Sequence, residues 1–582
     1  MKTVLLLFLS IFSLTAQAQV RPASIFDNNM VLQRDKPVRV WGSADPQEQV
    51  KIEFAGQSKI AIANEQGEWF TFLDIMSAND QSQEMKVSGK ESAVLFTNVL
   101  VGDVWVLGGQ SNMEFDLARI FHGDAEILSA NYPKIRHITI PNSANKPPKK
   151  DFERINEYDG WYDRYDKKGS WFITSPETVP TLSGIGYVFA RRIHMAAQVP
   201  IGLVDVSMGG TTLEAWLNPK TLAKMPENAG LIKQWQDKAG TFDPDQDLKT
   251  KIENWEKRNA TRIKNGQGPN PNPKPDKPSH HPSLDRNFPG ASYTGMVAPV
   301  AGLTVKGVIF HHGYNNALLY DARPKLYELN FRALINDWRA TFNDNVLPFG
   351  IIDLSAGGAP QTLENYEWTL IDAAPYIREA QFKAYKSMPI TGFVTSHDQQ
   401  VNWYHPQKKV QLAERMARWA MATEYGFDVA WEPVLLEGTE ILNDKIIITF
   451  NKKVKTSDDR TIVGFSIAGK DGRFFPAKAK FVQMQNANGQ KVDDRTKIEV
   501  WSSLCANPTE VRYAWARNPM ANLIDNGARM MPVPLFRTDN WDYPEAPFTA
   551  DAMANHRIKI QNMRKAASEL AADRIKAEGN KE

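Results

Sequence analysis

The sequence predicts a multidomain α/β chain, with a parallel-sheet central domain flanked by N- and C-terminal β-sandwich domains. Three observations carry this expectation. The 582 residues exceed what one ordinary core holds. Short runs of apolar-polar alternation fill both ends of the chain, as in antiparallel strands with one buried face. Between them, apolar strand patterns alternate with longer helical stretches, the signature of a mostly parallel sheet covered on both faces. Apolar residues make up 42% and aromatics 10%, which supplies packed cores and excludes a disordered or fibrous chain. A net charge of +2 gives no electrostatic drive toward nucleic acid or an anionic membrane.

Residues 1–18 read as a signal peptide. Lys2 precedes the apolar run Val4 to Leu14, and Ala16-Gln17-Ala18 has the small-x-small form of a cleavage site. Cleavage leaves Gln19 first, with no cysteine to carry a lipid, so a periplasmic or extracellular location is expected. No other run approaches the length of a membrane span. Cys505 stands alone, which excludes an internal disulfide and a cysteine-based zinc site.

Residues 19–100 are expected to form the N-terminal sandwich, through strands at 38–42, 50–54 and 69–72 with turns at Asp45-Pro46 and Glu65-Gln66-Gly67. Residues 101–427 are the expected central domain. Buried strands are read at 99–107, 201–207, 307–311, 349–353 and 390–395, with helical stretches at 184–198, 321–341 and 373–387. Insertions interrupt the alternation at about 120–180, with Trp161, Tyr162, Tyr165 and Trp171, and at 218–290, whose end is Pro- and Asn-rich. They read either as loops rimming a pocket or as surface insertions. Strand patterns at 445–450, 464–467, 511–515 and 532–537 place a second sandwich over 428–545, and the Ala-, Lys- and Glu-rich 546–582 reads as a helical tail.

Ligands on parallel sheets bind beyond the carboxyl ends of the strands. Ser111 falls there, where the strand at 99–107 is broken by Gly108 and Gly109. A serine at that point is held by a rigid element yet reachable, as a nucleophile must be, although Gly-Gly-Gln-Ser-Asn is also common turn chemistry. The Gly-x-Ser-x-Gly elbow is absent, because Met113 stands at its second glycine. A serine hydroxyl needs a base. His405 lies in the loop between the strand ending at Thr395 and a helix with Leu412, Met416 and Trp419 on its apolar face, and Pro406 fits that helix's first turn. Asp398 is the nearest carboxylate on this loop. It either orients His405 and stabilises the imidazolium, or caps the loop while a backbone carbonyl holds His405.

Val-Gly-Asp-Val-Trp-Val at 101–106, followed by Gly-Gln-Ser-Asn-Met-Glu at 109–114, closely resembles the nucleophile segment of the sialate O-acetylesterase-like carbohydrate esterases, a branch of the SGNH hydrolases. Residues 25–33, 206–211, 296–299 and the histidine block at 404–409, where a lysine soon follows His-Pro, resemble the same family, in order, from Ile25 to about Arg537. The resemblance implies an SGNH-type, flavodoxin-like catalytic domain with Ser111 as nucleophile and His405 as base. It implies an oxyanion amide at Gly209, or Gly210, beside that of Ser111, with Gln110 in the substrate-binding set. Two blocks depart. The aspartate most SGNH hydrolases carry three residues before the histidine is Asn402, while the sialate branch places its aspartate farther upstream, which points to Asp398. The usual Gln-Gly-Glu block reads His312-Gly313-Tyr314, with Asn316 keeping its place, and an imidazole N–H at His312 can still donate to an oxyanion. Adjacent His311 and His312 point to opposite faces of a strand, so no metal is assigned. No cofactor is required. The implied function is a secreted serine esterase that removes O-acetyl groups from a carbohydrate, either sialic acid or an acetylated plant polysaccharide, with aromatic insertions to stack on the sugar. The alternative is a catalytically impaired carbohydrate-binding protein, which the altered 312–316 block favours.

Overall fold

Two regions of the chain share one strand, β1 (Ala93–Gly109), which runs into the turn at Gln110 and the short helix α1 (Ser111–Glu114). In this computed structural model, residues 19–141, 150–154, 169–399, 401–527 and 529–579 are described. The expected signal peptide and Trp161, Tyr162 and Tyr165 lie outside them. The first half of β1 alternates between exposed and buried residues, because only one face is covered. There it pairs with strand Asn79–Ser88, and farther along, at Leu100–Gly102, with Val31–Gln33. From Val99 onward every residue is buried, and the strand enters a second sheet covered on both faces. The boundary expected at residue 100 therefore falls inside a continuous strand, and no linker separates the two regions.

The N-terminal strands Val38–Ser43, Gln49–Phe54 and Glu68–Leu73 form as expected. Val38–Ser43 and Glu68–Leu73 belong to a three-stranded sheet and Gln49–Phe54 joins the sheet of β1 through Asn79–Ser88, while Val40, Val50, Ile52, Trp69 and Met85 share one buried cluster.

The central sheet adds β2 (Tyr132–Thr139), β3 (Ile201–Asp205), β4 (Gly307–His311), β5 (Phe349–Ile352) and β6 (Thr391–Val394), in the order β2-β3-β1-β4-β5-β6. All five contacts between these neighbours are parallel, and Phe172–Thr174 pairs antiparallel with β2 at the edge. Alternate side chains of β1 enter different clusters. Trp105 and Leu107 pack with helices α2 (Gly184–Ala197) and α5 (Lys409–Thr423), through residues such as Phe189, Met416 and Trp419. Val104 and Val106 share the other cluster with α3 (Pro324–Thr341) and α4 (Ala374–Ser387), through Phe331, Trp338 and Ile377.

The segment 120–180 is not purely a loop excursion. It contributes strand β2, and Trp171 is 4% exposed in the core, its indole N–H donating to the Ile25 carbonyl at 2.8 Å. β2 buries Arg136 and His137 beside Ile135 and Ile138, so its apolar pattern is interrupted in the sequence. Within 218–290 lies a 21-residue helix, Pro244–Lys264, capped by Asp243 and burying none of its residues. After residue 428, strands Lys445–Phe450, Phe465–Ala468 and Glu510–Tyr513 surround a separate core with Ile448, Ile467 and Trp515. Of the run 532–537 only Phe536–Arg537 forms a strand, since Pro532 and Pro534 lack the N–H a ladder needs. Helix α6 (Ala550–Gly579) closes the chain, tied down by the buried Arg574–Glu367 ion pair. Among the described residues no helix is long and apolar enough to cross a membrane.

Candidate active site

Parallel strands end together, so the residues that follow β1, β3, β4, β5 and β6 line one edge of the sheet. Gly109 ends β1 at a φ of 127°, and a Cβ there would overlap the His311 carbonyl. The close pass lets the Gln110 N–H donate to that carbonyl at 3.1 Å and turns the chain into α1. Ser111 is the first residue of α1 and is 7% exposed. Its amide is among the leading N–H groups that a helix leaves without an internal partner.

The neighbours of Ser111 tie it to two distant loops. On one side, Gln110 Oε1 accepts from the Gly313 and Tyr314 amides at 2.7 and 2.8 Å, while Nε2 donates to Asn315 Oδ1 at 3.1 Å. On the other, Asn112 Nδ2 donates to the Tyr404 carbonyl at 3.1 Å, and its Oδ1 accepts from Lys409 Nζ at 2.6 Å. The segments of Ser111 and His405 therefore meet at one edge.

The His405 ring is 1% exposed and packs against Phe115, Trp403 and Tyr404, with ring centroids 5.7, 5.1 and 4.3 Å away. Burial, together with the charges of Lys409 and Arg119, pulls its imidazole down to about 3, so it is neutral at neutral pH. Helix α5 begins at Lys409, so Pro406 precedes the helix rather than opening it.

Asp398 lies on the same loop, in the turn His397–Gln399, and both its oxygens are bound by Arg415, at 3.1 and 2.7 Å. Burial pushes this carboxyl up, but the charge and hydrogen bonds of Arg415 prevail and hold it below the usual carboxylate range. Arg415 also donates to the carbonyls of Thr395 and Met530, which anchors the loop to β6 and to the C-terminal region.

At the glycine block, the Gly209 amide donates to Glu114 Oε2 at 2.6 Å. Gly210 adopts a φ of 74°, and its carbonyl accepts from Asn287 Nδ2 at 3.1 Å. The end of the proline-rich excursion thus reaches this turn, and Arg286 Nη1 donates to the Gly209 carbonyl at 3.2 Å.

No family model matches the chain. It is 25% identical to mouse sialate O-acetylesterase over 567 residues, covering 92% of this chain and 97% of that protein. The human sialate O-acetylesterase is also 25% identical, over 86% of this chain and 88% of its own length. The chain is similar to the sialate O-acetylesterases over most of its length. A solved carbohydrate acetylesterase from Xanthomonas citri is 26% identical and superposes with a TM-score of 0.69, covering 90% of this chain and all of that one.

The third block is where placement differs most from expectation. His312 lies in an aromatic slot, 5.6 Å from Phe310 and 6.3 Å from Tyr327 between ring centroids. Burial pulls its imidazole down to about 3, the backbone of Thr211 faces it, and among the described residues no hydrogen bond joins its ring to residues 110–112. Asn316 Nδ2 donates to both oxygens of Glu214, at 3.2 and 3.0 Å, and its Oδ1 accepts from the Leu213 amide. Asn316 thus holds the turn after the glycine block, while its neighbour Asn315 contacts Gln110. His311 spends its ring nitrogens on the Ile352 carbonyl and Ser355 Oγ, at 3.2 and 3.0 Å.

Glu114, Asn315, Arg286, Asn287 and Lys409 bond the candidate site residues or the turns that carry them, and sequence reasoning did not single them out. Glu114 and Lys409 stand inside the motif strings already quoted, where a charged residue next to a nucleophile or base was a usable signal. Arg286 and Asn287 carried none.

Proposed function

We propose that this chain is a secreted serine esterase of SGNH type that hydrolyses O-acetyl groups from a carbohydrate through an acetyl-serine intermediate. The named relatives support a carboxylic ester hydrolase acting on an acetylated carbohydrate. The observation that carries the finer reading is the pair of ties flanking Ser111, one from Gln110 to the 313–315 loop and one from Asn112 to the backbone beside His405. Numbered among themselves, β3-β1-β4-β5-β6 follow the order 2-1-3-4-5 of flavodoxin-like winding, which supports the SGNH assignment.

In this mechanism Ser111 Oγ attacks the acetyl carbonyl carbon while His405 accepts the hydroxyl proton. The tetrahedral oxyanion is held by the Ser111 amide. The Gly209 amide joins it on exchanging Glu114 Oε2 for the oxyanion. His405 returns the proton to the departing sugar oxygen. Water, deprotonated by His405, then attacks the acetyl-serine carbonyl, and His405 returns that proton to the departing Ser111 Oγ as acetate is released. Asp398 serves this chemistry by fixing the loop through Arg415. Tyr404, which is 42% exposed, and Tyr314, 6.0 Å from it between ring centroids, give the site an aromatic rim on which a sugar ring can stack.

The test is turnover of an aryl acetate by the purified full-length protein. Ser111→Ala and His405→Ala are each expected to lower kcat by about 10³-fold or more, and a serine-directed phosphonate should label Ser111. A protein that neither turns over the ester nor takes the label refutes the proposal and favours a carbohydrate-binding role. Acetate release from acetylated sialosides, xylan and pectin then identifies the substrate.

A further inference from the structure

Lys409 occupies a position that electrostatics disfavours twice. Its side chain is fully buried, at 0% exposure, which strips an ammonium of water. It is also the first residue of α5, where the helix dipole repels a cation. Burial pulls its ammonium down to about 7. What compensates is local: Nζ donates to Asn112 Oδ1 at 2.6 Å and lies 5.5 Å from the centroid of the Phe115 ring.

The bond to Asn112 has a geometric consequence. A carboxamide can be turned over to exchange its oxygen and nitrogen, and only its partners decide which way it faces. Lysine is a pure donor, so Lys409 holds the oxygen and leaves Nδ2 for the Tyr404 carbonyl, a pure acceptor. Asn112 directly follows Ser111, and Tyr404 directly precedes His405. We propose that Lys409 is a positioning residue that, by fixing the orientation of the Asn112 amide, clamps the backbone beside His405 against the backbone beside Ser111. This rests on the esterase reading. It goes beyond that reading in assigning to a fully buried lysine, bonded to Asn112, the geometry on which proton transfer depends.

The experiment compares full-length wild-type protein with Lys409→Met, Asn112→Ala, the double variant and Asn112→Asp, using aryl acetate kinetics and amide hydrogen exchange over residues 404–409. Each single substitution is expected to lower kcat by about 10²-fold, the cost of roughly an ångström of misplacement, with KM changed less than about twofold. The double variant should be no slower than the slower single, because both residues act through one clamp. Asn112→Asp keeps the acceptor for Lys409 but loses the donor to Tyr404, so it should resemble Asn112→Ala. Exchange over 404–409 should accelerate in every variant. If Lys409→Met does not fold, Asn112→Ala and Asn112→Asp carry the same test. A wild-type enzyme that Ser111→Ala inactivates, but whose kcat survives Lys409→Met, overturns the clamp and leaves the esterase standing. Multiplicative losses in the double variant also overturn it. A wild-type protein without turnover overturns the esterase reading, and the positioning role falls with it.

Discussion

Replacing Gln110 with alanine removes three hydrogen bonds at once, those to the Gly313 amide, the Tyr314 amide and Asn315 Oδ1. The two amides lose their acceptor, and a stranded buried donor costs about 1–3 kcal/mol. Gly313 is buried, whereas Tyr314 is half-buried and recovers part of its loss from water, so the sum is about 2–4 kcal/mol. Native-state hydrogen exchange reads this locally, which suits a multidomain chain that does not unfold in one step. The Gly313 and Tyr314 amides should exchange roughly 30- to 700-fold faster, since about 1.4 kcal/mol corresponds to tenfold. Freed from the loop, the turn carrying Ser111 shifts, and kcat should fall about 10²-fold. Gln110→Glu retains the oxygen that serves both amides, so its exchange should stay close to wild type. Exchange within about threefold of wild type in Gln110→Ala, with kcat unchanged, would refute the view that Gln110 pins the third block to the nucleophile turn.

Four further outcomes are expected. Asp398→Asn leaves the buried Arg415 guanidinium without its counter-charge; with Asp398 partly exposed, the loss should be about 2–3 kcal/mol in thermal melts. As a loop anchor its kcat should fall less than about tenfold, whereas a direct triad member would cost about 10⁴. His405 works as a base when neutral, and its folded value near 3 lies below the ordinary 6.5, so the acid limb of kcat/KM should fall well below pH 6.5. His311, His312 and His397 are depressed in the same direction by burial. Their contribution to stability is complete above pH 6.5 and is lost as pH falls toward 3, because the unfolded chain protonates first, so Tm at constant ionic strength should drop across that window. Gly109→Ala forces a side chain into a left-handed backbone against the His311 carbonyl, and should yield no soluble protein or lose about 3 kcal/mol or more by thermal melting.

Much of this protein was legible along the chain. The strands Gly307–His311 and Lys445–Phe450 and the helices at 184–197 and 374–387 follow from periodicity, because a side chain's face is set by its place in a local repeat. Ser111 and His405 stood out as candidates for a similar reason, since each lies in a contiguous string where a strand or loop meets a helix. Partner choice was not legible. Asp398 bonds Arg415, seventeen residues on, and Arg415 reaches Met530; Asn316 turns to Glu214, 102 residues back; Trp171 enters the core at Ile25. His312 became a packing residue because Tyr327, on a later helix, closes a slot over it. Lys409 became a buried cation because α5 docks its first residue against Asn112. Local pattern decides which way a side chain faces; what waits there is brought by segments far away in the chain, and only tertiary packing decides which of the available donors, acceptors and charges arrives.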